Sequence, residues 1–172
     1  NYARGKYKIV QAWMGFKDGP ASGQTREVRT GGPVEVWAGI KIEGVYESLM
    51  ATGIIAQIWT NVNSAVSDDW HTETLEFLEH QRKHPVFGEH LSFKDELRPL
   101  RAGRFEFRVR FWDGITMKRL LDGREEPDWV WAESPYGNGI VVVYSSSPVQ
   151  KINSFEDALN QFLLADYRSL LQ

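Results

Sequence analysis

An all-β fold, two antiparallel sheets packed face to face and followed by one helix, is what the sequence predicts, and three observations carry it. Strand-period alternation is the first: across Arg104–Trp112, Phe105, Phe107, Val109 and Phe111 share one phase, and Arg104, Glu106, Arg108, Arg110 and Trp112 share the other. Second, clusters of glycine, proline, serine and aspartate separate such runs. Third, the helical segments that parallel strands need as crossovers are missing between them. An antiparallel β-sandwich, burying the apolar faces of two sheets, satisfies all three.

Taken in order, Lys6–Met14 reads as the first strand, closed by the turn-rich stretch Lys17–Gly23 with Pro20 in it. Thr30–Pro33 opens Val34–Ile42, where Val34, Val36, Ala38, Ile40 and Ile42 oppose Glu35, Trp37 and Lys41. Ile54–Thr60 carries apolar residues in both phases, which predicts burial on both sides. Thr74–Lys83 fits one or two helical turns or a strand using Leu75 and Phe77; we favour a strand followed by a loop. His90–Leu97 reads as a short edge element stopped by Pro99. Arg104–Trp112 and Gly139–Tyr144 are the firmest strands, with a short one at Trp129–Ala132 between them. Asp113 and Gly114 form a turn pair, and the polar run Ile115–Asp128 is too long for a tight hairpin, so it predicts a protruding loop.

Past Ser145–Pro148 the period changes. Ser154 and Asp157 resemble a capping box, and Phe155, Ala158, Leu159, Phe162, Leu163 and Leu170 recur at helical spacing. The expected organisation is a sandwich over 1–148 and an amphipathic C-terminal helix over 149–172, packed on the sandwich or linking away from it.

With 172 residues the chain suits one domain able to bury its own core without metals or disulfides. It has no cysteine, which excludes thiol nucleophiles and thiolate metal sites. A formal charge of -3 gives no general attraction to nucleic acid. No apolar run is long enough for a membrane span and the first residues contain no apolar signal core, so no membrane association and a cytoplasmic location are expected.

Catalytic patterns find little support. Asp68, Asp69, Trp70, His71 and Glu73 gather carboxylates, an imidazole and an indole, but a charged turn is more often a solvated loop than a catalytic pair. His71, His80, His84 and His90 read as surface histidines: His80 and His84 have metal-site spacing only on a helix, and Pro85 interrupts one. Phosphate-loop and serine-nucleophile motifs do not occur. A non-enzyme without cofactor or metal is expected. Arg98, Arg101, Arg104, Arg108 and Arg110 suggest a basic face, with Glu106 and neighbouring acids expected to neutralise it by pairing.

Seven tryptophans remain to be explained. An indole matches the apolar face of a sugar ring while nearby polar groups take its hydroxyls. Trp13 and Trp70 are expected in core or rim packing. Trp37, Trp112, Trp129 and Trp131 fall among polar neighbours and are candidates for ligand contact. Trp129 and Trp131 share a strand face, roughly 7 Å apart along it.

Phe105 and Phe107 on one strand, then Asp113 and Gly114, Trp131, and Gly137-Asn138-Gly139 before a closing strand, resemble the starch- and glycogen-binding modules of fungal amylolytic enzymes and of the glycogen-targeting subunits of protein phosphatase. The resemblance spans residues 104–143. It implies an immunoglobulin-like β-sandwich with a noncatalytic α-glucan site around Trp131, Tyr136 and Asn138, within an accessory or targeting domain that can form part of a larger glucan-active enzyme. On this reading Trp129, Trp131 and Tyr136 stack on sugar rings, and Asn138 and Glu133 bond hydroxyls. A rival reading is a protein-interaction domain, its aromatic face and C-terminal helix, with Phe162 and Leu163, docking a partner chain. A third and weaker one is single-stranded nucleic acid held by Arg104, Arg108 and Arg110.

Overall fold

The computed structural model describes residues 8–17, 25–43, 53–133 and 137–145, together with 159, 160 and 163. Among these residues twelve strands run in chain order: β1 (Lys8–Phe16), β2 (Thr25–Arg29), β3 (Val34–Glu43), β4 (Ile55–Thr60), β5 (His71–Thr74), β6 (Glu76–Gln81), β7 (His90–Leu97), β8 (Gly103–Trp112), β9 (Met117–Arg119), β10 (Glu125–Pro127), β11 (Val130–Trp131) and β12 (Gly139–Tyr144). One sheet has the order β1-β3-β7-β6 and is antiparallel throughout. The other has the order β2-β12-β8-β4-β5, with β11 also paired to β8. Beyond these, β9 and β10 form a separate two-stranded hairpin.

The two larger sheets share one core because each strand's apolar phase turns inward. From β8 come Phe105, Phe107, Val109 and Phe111, and from β3 Val34, Val36, Ala38, Ile40 and Ile42, all buried. Aromatic edges lock the sheets across the interface. Phe16 of β1 meets Phe107 at 5.4 Å between centroids and 81°, and Phe93 of β7 meets Phe111 at 5.3 Å and 61°, the edge-to-face geometry that ring quadrupoles favour. A register shift between Ile9 and Gln11 in β1 lets Ile9 and Ala12 both face inward.

Several expectations change. Ile54–Thr60 is not buried on both sides: Ala56 and Ile58 are buried, whereas Ile55 is exposed and Gln57 and Trp59 are half-buried. The chain from 71 to 81 is two strands in different sheets, the switch occurring at buried Leu75, whose N–H donates to the Ala56 carbonyl. Far from being an edge element, β7 lies between β3 and β6, and its first four residues are all buried. The 115–128 segment does protrude, but with the β9–β10 ladder inside it. Sequence reading missed β2, whose only apolar residue is Val28, and which adds a parallel pairing to β12 in an otherwise antiparallel sheet. Of the helix expected over 149–172, only the exposed positions 159, 160 and 163 are described, and too few to carry it; the boundary at 148 also lies outside the described residues. No described helix is long and apolar enough to cross a membrane.

Candidate functional site

Strand register sets the outer face of the second sheet. Trp59 of β4 stands between Thr72 of β5 and Arg108 of β8. One step along, Gln57 lies between Thr74 and Arg110, and Arg110 faces Trp131 of β11. The expected neutralisation holds for Arg98, 3.3 Å from Glu96, and for Arg104, 3.9 Å from Glu106. Among the described residues Arg108 and Arg110 form no ion pair and lie on indoles instead. The guanidinium of Arg108 is 4.1 Å from the Trp131 centroid. Arg110 is 4.0 Å from Trp129, 5.4 Å from Trp59 and 5.6 Å from Trp131, and its Nε and Nη2 both donate to Gln57 Oε1, at 3.0 and 2.9 Å. Partial burial lowers the Arg110 pKa, with Glu126 opposing; a guanidinium stays protonated regardless. The outcome is a ladder of alternating indoles and cations.

The loop after β4 adds the polar half of the site. Thr60 Oγ1 donates to the Glu106 carbonyl at 2.8 Å, and the Glu106 N–H donates to Asn61 Oδ1 at 2.8 Å, so the loop starts fastened to β8. Asn63, at a left-handed φ of 69°, accepts from the Leu100 N–H and donates to the Arg98 carbonyl. Held this way, the loop lays Trp70 beside Trp59, with centroids 6.3 Å apart and planes 25° from parallel. Trp59, Trp70, Asp68, Asp69, Arg108 and Asn138 together line a shallow depression of about 460 Å³. Asn138 reaches it from a turn whose Gly137 has a φ of 86°, a conformation that favours glycine.

Of the residues expected from sequence, Asn138 lines the depression and Trp131 borders it through Arg108. Trp129 and Trp112 lie farther along, 6.2 Å apart, with Trp112 Nε1 donating to the Thr116 carbonyl and Arg110 covering one face of Trp129. Glu133 is exposed; its backbone N–H donates to the Ala12 carbonyl of β1 at 2.8 Å and joins the two sheets at that edge. Trp37 belongs to the other sheet and is not brought to this face. Tyr136 lies outside the described residues. Sequence reasoning did not single out Trp59, and expected Trp70 in core or rim packing and Asp68 and Asp69 in a solvated loop. The available signal was the outward phase of Trp59 beside that of Arg108.

The outer face of the first sheet is built differently. Gly39 on β3 faces Trp13 across the β1 pairing, and a β-carbon there would fall 2.5 Å from the Trp13 ring, so the indole lies flat over the glycine. Phe87 stacks on Trp13 at 4.6 Å and 11°, and His90 meets it edge-on at 5.1 Å. His90 is not a surface histidine, being 5% exposed. Burial pulls its pKa below the ordinary value, against the Gly88 carbonyl bonded to Nδ1 and with help from His84 and Lys41. Beside this stack is a cavity of about 430 Å³, with Trp37, His84 and Lys17 among its walls. The Trp37 Nε1–H is buried without an acceptor, a defect costing about 1–3 kcal/mol. No group of His, Asp or Glu among the described residues is arranged to hold a metal. Neither a family model nor a curated protein sequence matches this chain.

Proposed function

We propose that the chain is a noncatalytic carbohydrate-binding domain and that the depression between Trp59, Trp70, Arg108 and Asn138 receives an oligosaccharide. The observation that carries this reading is the pairing of two nearly parallel indoles with two carboxylates, an amide and a guanidinium in one shallow recess. Indole faces take the C–H surface of a pyranose, and the polar groups take hydroxyls as donors or acceptors. Asp68 and Asp69 disfavour a phosphate backbone at the same place, which sets nucleic acid behind sugar. The α-glucan class, and an immunoglobulin-like variant of the two-sheet fold, follow from the resemblance of residues 104–143 to starch- and glycogen-binding modules.

Binding should be weak, roughly 0.01 to 1 mM, because stacking on an exposed surface yields only a few kcal/mol. Isothermal titration with maltoheptaose tests it, with a tryptophan fluorescence change in parallel. Trp70→Ala should weaken binding about tenfold, while Trp112→Ala, outside the depression, should leave it nearly unchanged. Absence of heat and of any fluorescence change at millimolar sugar would reject the reading.

A further inference from the structure

We propose that the cavity on the outer face of the first sheet, on the opposite side of the molecule from the sugar site, binds a planar aromatic acid. Its shape comes from the sequence: Trp13 lies flat on Gly39, Phe87 stacks above it, and Trp37 supplies a second indole wall. At about 430 Å³ the space suits a small ring system. Val86, on its lining, is 77% exposed, an apolar side chain left in water where a ligand would cover it.

The polar atoms specify what the ring must carry. His84 Nδ1 accepts the N–H groups of Val86 and Phe87, at 3.1 and 3.0 Å, so its hydrogen sits on Nε2 and is available to donate. Trp37 Nε1–H is a buried donor without an acceptor among the described residues. Lys17 also lines the space, its ammonium 3.6 Å from Glu35, and among the described residues no Asp or Glu is part of the lining. Two unused N–H donors and a cation, with no carboxylate among them, complement a carboxylate. His90 Nδ1 donates to the Gly88 carbonyl, which leaves Nε2 as an acceptor for a ring N–H or hydroxyl. Ser92 Oγ and Gln81 Nε2 are occupied by the Glu79 carbonyl and carboxylate, so they compete for nothing in the ligand.

Indole-3-acetate is the probe, and the indole N–H resonances of ¹⁵N-labelled protein are the readout, with Trp37→Phe assigning the Trp37 signal. The Trp37 and Trp13 signals should move in a saturable way while those of Trp59 and Trp70 stay still. Tryptamine, the same ring with an ammonium, should bind at least about tenfold more weakly, and Trp37→Phe should weaken indole-3-acetate about fivefold through loss of one hydrogen bond. Equal binding of tryptamine, or saturation that leaves the Trp37 signal unmoved, would overturn the proposal. The ratio of indole-3-acetate to tryptamine affinity for the wild-type protein decides the matter even if Trp37→Phe fails to fold, and maltoheptaose binding on the other face is unaffected by either result.

Discussion

The two outer faces use the same materials, tryptophan and cations, and arrive at opposite surfaces. On the second sheet the outward positions of β8 carry Arg108 and Arg110, whose guanidiniums lie against Trp59, Trp129 and Trp131. On the first, the outward position beside Trp13 is Gly39, and the indole lies down on the strand. Long side chains between the indoles give a shallow recess rimmed by charge. A glycine instead frees a layer of volume, and the segment 82–89 folds over it to wall a cavity. The comparison teaches that the residue opposite each tryptophan, more than the tryptophan itself, determines whether a sheet face becomes a platform or a pocket.

The sharpest way to break this comparison is to fill both glycine positions. Gly139 and Gly39 each lie under an aromatic ring, but a β-carbon on Gly139 would sit 2.2 Å from the ring of Phe107, which is fully buried and cannot retreat. Gly139→Ala should therefore destabilise by about 3 kcal/mol, in the range of overpacked cores. Trp13, half-buried on an outer face, can lift away, so Gly39→Ala should cost only about 1 kcal/mol while reshaping the cavity. Urea unfolding of both variants measures the gap; equal losses would mean that Trp13 is held as rigidly as the core.

A smaller effect probes the ladder. Arg110→Lys keeps the charge but loses the flat guanidinium and the two-nitrogen grip on Gln57. The expected loss is about 1 kcal/mol in denaturant unfolding, accompanied by a change in tryptophan emission. Arg104→Lys, whose only described ion pair is a long one on the surface, should be close to neutral.

How much of this was legible in the sequence depends on the range over which each feature is determined. The phases of β3 and β8 follow from alternation alone, and the structure buries the side each predicts. By contrast, β2 was invisible because its stability comes from lying beside β12, a partner more than a hundred residues away, and not from its own polar sequence. The candidate site was legible in part: the resemblance of residues 104–143 pointed to Trp131 and Asn138, and the structure puts Asn138 in the depression and Trp131 at its border. Trp59 was missed because Ile55 obscured its phase, and Trp70 because its position depends on the Asn61 and Asn63 bonds to β8 and the chain before it. His90 was misread for the same reason, since its burial comes from Trp13 and Phe87 rather than from its neighbours in sequence.

Both faces of β7 carry a titration test, and the two have opposite signs. His90, on the outer face, has a lowered pKa, so the unfolded chain takes up the proton more readily and stability should fall as pH drops through the ordinary imidazole range near 6.5. His90→Gln should flatten that slope, by about 0.5 kcal/mol between pH 7.5 and pH 5.5 in urea unfolding. Asp95 shares the inward phase of Leu91, Phe93 and Leu97 and remains half-exposed. Desolvation raises its pKa against a backbone hydrogen bond from Glu96, and Glu73, Glu76 and Glu96 add repulsion. For a carboxyl raised on folding, the ionised form destabilises; that penalty is complete above the folded pKa and disappears as pH falls below the unfolded value near 3.9. Asp95→Asn should consequently stabilise at pH 7, by less than about 0.5 kcal/mol because solvent screens a half-exposed group, and the advantage should vanish in acid. A variant less stable than the parent at pH 7 would show that the Glu96 hydrogen bond outweighs desolvation, and that the inner face of β7 favours the charge it carries.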